Sequence, residues 1–298
     1  MEIKKSSIVV GFVCYSFWGI LPAYWNLLGG VDNLLIICCR IAFAFVFLLG
    51  VMLATGRKQL FLKTIRDKAA MRFLIPSSLL ITFNWGLYVW AVNNGRILDT
   101  SLGYYMNPLI SFLFGVVIFK EKSTRLQLVA VGLAFTGVVI SLIAYGSVPY
   151  VSLGLSLSFA AYGVLKKKAR TDPISGIAIE SLLVTPLAVA IALIFTTDSI
   201  RAAGAADILL LIGAGAVTAF PLVLYSYAVN QMPYIIVGFI QYISPSIGLT
   251  YGLLIGERLS PPRVVSFIFI GLGLIVFSTA MVLNNKKAKR LQALQHRN

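Results

Sequence analysis

The stretch "AVNNGRILDTSLGYYMNPLI" covers residues 91–110, and a related stretch, "AVNQMPYIIVGFIQYISPSI", covers residues 228–247. The offset between them is 137 positions, and identities continue beyond both stretches at that same offset. The paired identities include Phe83 and Phe220, Tyr88 and Tyr225, Tyr105 and Tyr242, Pro108 and Pro245, and Gly115 and Gly252. Register kept over such a distance indicates an internal duplication, which decides how the rest of the chain is interpreted.

The composition is that of a membrane protein. Of the 298 residues, 59% are hydrophobic and only 12% are charged, and the mean hydropathy is +0.90. Soluble domains carry about a quarter charged residues, so this chain lacks the polar surface to enclose a water-soluble core. The apolar residues form runs of about twenty, which is the length of a helix that crosses the hydrocarbon of a bilayer.

We predict ten membrane-spanning helices and an all-α polytopic fold. A β-barrel is disfavoured because barrel strands are about ten alternating residues, and these runs are longer and continuous. The first run exceeds a signal-peptide core and is not followed by a cleavage site, so we expect it to be retained. The runs are Ile8–Leu28, Leu34–Thr55, Met71–Val92, Thr100–Phe119, Leu126–Ala144, Val151–Leu165, Ile174–Thr196, Ile208–Val229, Ile235–Ile255 and Val264–Leu283.

The net charge of +15 has a topological explanation. With the N-terminus inside, 20 basic residues fall on cytoplasmic segments and 4 outside, while Arg40 lies within a helix. Such a bias predicts the orientation of a membrane protein. We therefore expect both termini to be cytoplasmic in a bacterial cytoplasmic membrane, and we do not expect nucleic acid as a partner.

The basic tail, residues 284–298, has two interpretations. It is either a solvated flank of the last membrane helix or a segment that holds anionic lipid headgroups.

Residues for catalysis are missing from the sequence. The three cysteines, Cys14, Cys38 and Cys39, lie in apolar runs without metal-ligand spacing, and the single histidine, His296, lies near the end of the chain. The glycine-rich stretches lack the lysine and the strand that a phosphate-binding loop requires. The sequence therefore predicts neither an enzyme nor a cofactor or metal site.

The duplication predicts an inverted repeat. Because each half contains five spans, the second half enters the membrane from the opposite side. We place the first repeat at residues 1–145 and the second at residues 146–283. Inverted repeats are typical of secondary transporters, whose binding site lies near the middle of the membrane between the halves.

A stripe of small residues recurs in the two halves at four-residue spacing. Asn107, Ser111 and Gly115 correspond to Ser244, Gly248 and Gly252. Small residues on one face of a membrane helix allow close approach of another helix. That helix belongs either to the same chain or to a second copy, so a monomer and a weak homodimer both stay open.

The motifs of the chain resemble the RarD branch of the EamA-type transporters, in the drug/metabolite transporter superfamily. The resemblance covers residues 5–283 and implies ten helices in a five-plus-five inverted repeat. It also implies a permease linked to chloramphenicol sensitivity. The motifs are "SFWGILPAYW" (Ser16–Trp25), "CCRIAFAF" (Cys38–Phe45), "NWGLYVWAVNN" (Asn84–Asn94), "SLGYYMNPL" (Ser101–Leu109), "YGVLKKK" (Tyr162–Lys168), "IESLLVTP" (Ile179–Pro186) and "GFIQYISPS" (Gly238–Ser246).

Two ionisable residues lie inside predicted spans, where charges are expensive and mark functional sites. Arg40 is either an anchor for an anionic substrate or a gate partner, or it has a structural role as a tie between helices or as a side chain that snorkels to the membrane interface. Glu180 is either a proton-coupling carboxylate or a structural acceptor. Protons are thus a candidate coupling ion.

Polar aromatic and amide side chains are candidates for lining a substrate cavity. We expect Tyr88 and Tyr225 to lie on opposite sides of one central cavity, while Trp85, Trp90 and Tyr145 fit an aromatic belt at the membrane interface. The candidate substrate-binding residues are Trp18, Tyr24, Arg40, Asn84, Tyr88, Tyr104, Tyr105, Asn107, Tyr162, Tyr225, Gln241 and Tyr242.

Two functions follow from these features. The first is a secondary transporter that moves a small organic metabolite or drug-like molecule, by export, between the two repeats. The second is a membrane sensor or scaffold that keeps the transporter fold. Polar groups at matching positions in both halves favour transport.

Overall fold

The computed structural model describes residues 5–146, 148–254 and 260–295, and it leaves the side chains at 93, 97, 98, 252 and 285–295 undescribed. The described residues contain thirteen α-helices. They are α1 (Lys5–Asn26), α2 (Asn33–Ala54), α3 (Lys58–Arg66), α4 (Lys68–Asn93), α5 (Ile97–Phe119), α6 (Arg125–Tyr145), α7 (Tyr150–Ala169), α8 (Pro173–Phe195), α9 (Thr197–Ala202), α10 (Ala205–Gln231), α11 (Tyr234–Ile240), α12 (Ile243–Leu254) and α13 (Pro261–Gln295).

Eight of the described helices are long and apolar enough to cross a membrane, namely α1, α2, α4, α5, α6, α8, α10 and α13. The prediction of an all-helical, polytopic membrane protein is confirmed. The sixth predicted run corresponds to α7, whose last turn carries Lys166, Lys167 and Lys168. The ninth corresponds to the pair α11 and α12. His296 lies outside the described residues.

The ninth run is broken at Gln241 and Tyr242, which form a turn between α11 and α12. Pro245 lacks an N–H, so the Gln241 carbonyl has no partner four residues later. That carbonyl instead accepts from the Ser244 N–H at 3.1 Å. The equivalent proline, Pro108, lies within the continuous helix α5. Pro245 therefore lies in the first turn of α12, just after a break, whereas Pro108 lies within an unbroken helix.

The helices pack in a pattern that is preserved when the two halves are exchanged. Helix α1 packs against α10 and α12, while its counterpart α7 packs against α4 and α5. Helices α2 and α8 are counterparts that pack against each other, as do α6 and α13. This exchange of partners is what a pseudo-two-fold relation between the halves produces.

Helix ends are fixed by local side chains. The Asp32 carboxylate accepts from the Leu34 and Leu35 N–H groups and begins α2, and Thr124 and Gln127 form a capping box at the start of α6. Such caps satisfy N–H groups that have no partner in the helix. The connections are consequently short, and the long helices stay close to one another.

Candidate functional site

An aromatic cluster fills the middle of the bundle. Its central contact is a stack of Tyr162 on Tyr225, with ring centroids 5.9 Å apart and an interplanar angle of 14°. Trp18 and Phe159 pack against Tyr225 at 5.6 Å and 5.4 Å, and Tyr15 meets it edge-on at 6.3 Å. The cluster therefore joins α1, α7 and α10.

Tyr225 and Tyr162 retain almost no accessible surface, at 1% and 0%. Gly163 makes this packing possible, because a Cβ at that position would clash with the hydroxyls of Tyr225 and Tyr234. Tyr234 is itself buried and donates to the Ala160 carbonyl at 2.7 Å. The bundle is thus closed around Tyr225, and we call the region from Tyr225 to the start of α11 the closed end.

Glu180 lies within the closed end with 4% of its surface accessible. Its carboxylate accepts from the Lys166 ammonium at 3.1 Å, from the Tyr162 hydroxyl at 3.2 Å and from the Ser77 hydroxyl. Lys166 is also buried, so both charges of this ion pair are withdrawn from solvent. The network ties α4, α7 and α8 together at one point.

A cavity of about 20 Å³ adjoins Glu180. Thr82, Trp85 and Ser181 are among its lining residues, together with apolar side chains from α2, α8 and α10. A cavity of this size has room for about one water molecule. The carboxylate therefore has space beside it for a small hydrogen-bonding partner in addition to Lys166.

A second set of polar contacts lies at the start of α11, within the closed end. The Glu121 carboxylate accepts from the Tyr234 and Ile235 N–H groups at 2.7 Å and 2.8 Å. Lys167 donates to the Val229 carbonyl at 3.1 Å and lies 3.7 Å from Glu121. The connection after α5, the end of α7 and the start of α11 are consequently fixed to one another.

Helix α5 crosses α11 at close range. A Cβ on Gly238 would lie 2.8 Å from Ser111 Cβ, and one on Gly115 would lie 2.7 Å from a side-chain carbon of Ile235. Just beyond this crossing, Tyr105 donates to the Pro245 carbonyl at 3.3 Å and Tyr242 donates to the Tyr105 carbonyl at 3.2 Å. The duplicated tyrosines thus bridge α5 and the α11–α12 break in both directions.

Arg40 lies on α2 and contacts two tryptophan rings. Its guanidinium is 4.3 Å from the ring centroid of Trp85 and 5.0 Å from that of Trp25. Its Nε donates to the Thr218 hydroxyl at 3.1 Å. Cation–π contacts of this kind stabilise a cation that has lost part of its hydration.

Tyr88 and Tyr104 lie within electrostatic range of Arg40, with their own ring centroids 6.2 Å apart. Of the surface of Tyr104, 49% is accessible. We call this region, lined by Arg40, Tyr88 and Tyr104, the open end.

The two halves of the chain each match one family model. The model of the EamA-like transporter family matches residues 5–143 and again residues 149–279. The chain belongs to the EamA-like transporter family. This confirms the resemblance drawn from its motifs, and it makes the protein a transmembrane member of a transporter family.

Full-length relatives agree with the family. The uncharacterized transporter YojE of Bacillus subtilis is 38% identical, covering 93% of this chain and 95% of that protein. RarD of Escherichia coli is 32% identical over 97% of this chain and 100% of that protein, and RarD of Streptomyces exfoliatus is 31% identical over 97% and 94%.

A solved crystal structure shares the fold of this EamA-like transporter. It aligns with a TM-score of 0.72 at 15% identity, covering 92% of this chain and 97% of that chain. At this identity the likeness shows the fold alone.

The structure distributes the predicted site residues of this EamA-like transporter over several places. Trp18, Tyr162 and Tyr225 meet in the aromatic cluster, while Arg40 and Tyr88 lie with Tyr104 at the open end. Tyr105 and Tyr242 bridge α5 and the helix break, beside the buried Gln241. Tyr225 thus lies in the aromatic cluster, whereas Tyr88 lies beside Tyr104 and Arg40.

Of the remaining three predicted residues, two make contacts between helices and one makes a contact within its own helix. Asn84 donates to the Leu155 carbonyl and the Ser158 hydroxyl of α7, both at 2.8 Å. Tyr24 donates to the Leu210 carbonyl of α10 at 2.5 Å. Asn107 is buried and accepts from Ser111 within α5.

Two features of the site were missed at the level of sequence. Lys166 is one of the 20 basic residues predicted to lie on cytoplasmic segments, yet its side chain is buried against Glu180; the short connection between α7 and α8 is the signal that could have paired them. The placement of Trp85 in an interfacial belt was wrong, because its ring covers the Arg40 guanidinium inside the bundle. No cluster that could hold a metal ion occurs among the residues that the structure describes.

Proposed function

We propose that this protein is a secondary transporter that exports a small organic molecule by alternating access between two inverted five-helix repeats. One observation carries the proposal: the duplicated tyrosines occupy different environments. Tyr225 is sealed in the aromatic cluster of the closed end, whereas Tyr88 is partly accessible beside Arg40 at the open end. In an alternating-access cycle the two halves exchange these arrangements.

The inverted repeat is supported by the packing of the helices. Helix α1 of the first half packs against α10 of the second, and α7 of the second packs against α4 of the first. This reciprocal packing is expected when two halves are related by an axis in the membrane plane. Each half then contributes five spans, because α11 and α12 together form the ninth. An odd number of spans makes the second half enter the membrane from the opposite side. The boundaries that we propose for the repeats are residues 1–145 and 146–283, followed by a basic tail at 284–298.

The orientation that we propose places the closed end at the cytoplasm. Twenty basic residues then lie inside and four outside. Among the four, Arg96 donates to Asp99 at 2.7 Å, and this hydrogen bond raises the pKa of Arg96. Its charge is thus balanced by a carboxylate at the outer surface.

Thiol labelling of whole cells tests the orientation. Cysteines introduced at Lys63 and Lys168 should be protected from an impermeant reagent applied outside, and one introduced at Asp198 should react. The native cysteines are first replaced by serine. The opposite labelling pattern would overturn both the orientation and the inverted repeat.

Glu180 is the proton site that we propose for energy coupling. Protonation would neutralise the carboxylate, weaken its hold on Lys166 and loosen the junction of α4, α7 and α8. Proton uptake would thereby favour opening of the closed end. Ionisable residues within membrane helices commonly serve in proton relays of pumps and transporters.

The transporter and its coupling are tested in proteoliposomes. A compound that raises the melting temperature of the purified protein is taken from a thermal-shift screen, and its flux is measured with and without a pH gradient. Glu180→Gln should remove gradient-driven accumulation and leave exchange of labelled for unlabelled compound intact. Accumulation that survives in this variant would exclude Glu180, and binding without any flux would favour a sensor or scaffold.

The stripe of small residues favours a monomer as the working unit. Ser111 and Gly115 pack against α11 of the same chain, so this part of the stripe is already occupied. Size measurement of the detergent-solubilised protein tests this part of the proposal.

A further inference from the structure

The charge of Arg40 has no counter-ion in the part of the chain that the structure describes. The four ion pairs found there are Arg57 with Asp172, Arg96 with Asp99, Lys166 with Glu180, and Lys167 with Glu121. Ionisable residues within membrane helices normally pair with one another or lie on the path of a substrate. Arg40 is therefore a cation at the open end whose balancing charge remains to be supplied.

The guanidinium of Arg40 is held in place by neutral groups. Two tryptophan rings, Trp25 and Trp85, contact it, and Thr218 accepts from Nε. Among the described residues, Thr218 is the only hydrogen-bond partner, which leaves the two terminal nitrogens for another acceptor. A guanidinium presents its N–H groups as a planar fork that matches a carboxylate.

The surroundings of Arg40 suit an aromatic body attached to that anion. Tyr88 and Tyr104 lie near the guanidinium with rings 6.2 Å apart, and half of Tyr104 is accessible. Aromatic rings favour edge or offset contacts with another ring at such distances. Their hydroxyls also provide donors for the same anion.

We infer that the open end binds a small aromatic carboxylate, with Arg40 as the anchor of the carboxylate and Tyr88 and Tyr104 as contacts of the ring. This inference rests on the proposed transport function and names the class of its substrate. It accounts for the missing counter-ion, because the substrate brings the negative charge.

Matched acids and amides test the inference on the purified full-length protein. Phenylacetate and phenylacetamide, indole-3-acetate and indole-3-acetamide, and nicotinate and nicotinamide are compared by thermal shift. Phenylacetate and its amide are also titrated into the protein while tryptophan fluorescence is recorded, since Trp25 and Trp85 contact Arg40. At least one acid should bind, and each acid that binds should bind more tightly than its amide.

Variants assign the preference to Arg40. Arg40→Gln should lower the affinity for the acid by roughly 10- to 100-fold and remove its advantage over the amide, because a hydrogen-bonded charge is lost. Arg40→Lys should retain part of the preference, since it keeps the charge and loses the fork. Arg72→Gln is the matched control, because Arg72 also lies over an aromatic ring but is exposed on α4 far from the site.

Four outcomes would overturn the inference. They are binding of none of the acids, equal affinity for acids and amides, an acid preference that survives Arg40→Gln, and loss of the preference when phosphatidylglycerol is added. The last outcome would assign Arg40 to a lipid phosphate.

Failure of the inference and failure of the transport function are distinguishable. An acid that binds through Arg40 but shows no flux in proteoliposomes would contradict transport and leave the anion site in place. Flux of a neutral compound that Arg40→Gln does not affect would support transport and contradict the anion site.

Discussion

The two ends of the bundle differ although they are built from duplicated sequence. At the closed end, Tyr225 is buried under Tyr162, and Glu180 is paired with Lys166. At the open end, Tyr88 is partly accessible and Arg40 has no paired charge among the described residues. Two halves that share sequence thus differ in the burial of the duplicated tyrosine and in the pairing of charges among the described residues.

Two glycines extend the comparison. Gly163 and its counterpart Gly19 each follow an aromatic residue, Tyr162 or Trp18, in the paired helices α7 and α1. A Cβ on Gly163 would clash with Tyr225 and Tyr234, whereas one on Gly19 would lie 2.7 Å from Ile247. The glycine at this position of the repeat thus makes room for two tyrosines in the case of Gly163 and for α12 in the case of Gly19.

The largest expected effect comes from unpairing the charges of the closed end. Lys166→Met leaves Glu180 buried without its cation, and breaking a buried pair from one side costs about 3–5 kcal/mol. We expect a lower melting temperature of the purified protein by thermal denaturation.

The controls for this change are a neutral pair and a neighbouring lysine. Lys166→Met combined with Glu180→Gln should recover most of the loss, because no charge is then left unpaired. Lys168→Met removes an exposed lysine from the same turn and should have little effect. Equal losses in the single and double variants would mean that packing, and not charge, holds this junction.

The second prediction compares the duplicated tyrosines by stability. Tyr225→Ala removes a side chain that is 1% accessible, and truncation of a buried aromatic costs about 3–5 kcal/mol. Tyr88→Ala removes a partly accessible ring and should cost clearly less. The two melting temperatures check this difference, and a loss in Tyr88→Ala as large as that in Tyr225→Ala would contradict the distinction between the ends.

The third prediction uses Gly163 to force the closed end apart. Gly163→Ala places a methyl group against the hydroxyls of Tyr225 and Tyr234, and overpacking of this kind costs about 1–3 kcal/mol. Cys14, which is buried in α1, should then react faster with N-ethylmaleimide in a background with Cys38 and Cys39 replaced by serine.

Gly132→Ala is the matched control, because a Cβ there would have no neighbour within 4 Å. A Cys14 rate in Gly163→Ala that equals the rate in this control would show that the closed end tolerates the methyl group.

Much of the fold could be predicted from composition and periodic apolar runs, because the bilayer imposes helices of a fixed length. The duplication further predicted which helices are counterparts. It failed to predict the break at Gln241, since Pro108 and Pro245 are equivalent in sequence but only the second follows a break between two helices. The surroundings of each proline decide that outcome.

The candidate site was less predictable than the fold. Polarity within the spans identified Arg40, Glu180 and the tyrosines, but contact partners depend on how helices rotate against each other. The burial of Lys166 could not be predicted, because a charge bias in sequence does not distinguish a lysine that points into the bundle. The difference between the two ends also cannot be predicted from a duplicated sequence, because it belongs to one particular conformation.

The smallest expected effect concerns binding at the open end. A ring stacked on an aromatic ligand contributes roughly 1 kcal/mol beyond area burial, so Tyr88→Ala should weaken phenylacetate binding by about tenfold in a fluorescence titration. Tyr88→Phe keeps the ring and should be milder, with the remaining loss reporting a hydroxyl contact with the carboxylate. Trp90→Ala changes an exposed aromatic of the same helix and should leave the affinity unaltered. Unchanged affinity in Tyr88→Ala would place the ligand away from this tyrosine, and the accessible surface that distinguishes Tyr88 from Tyr225 would then have no part in binding.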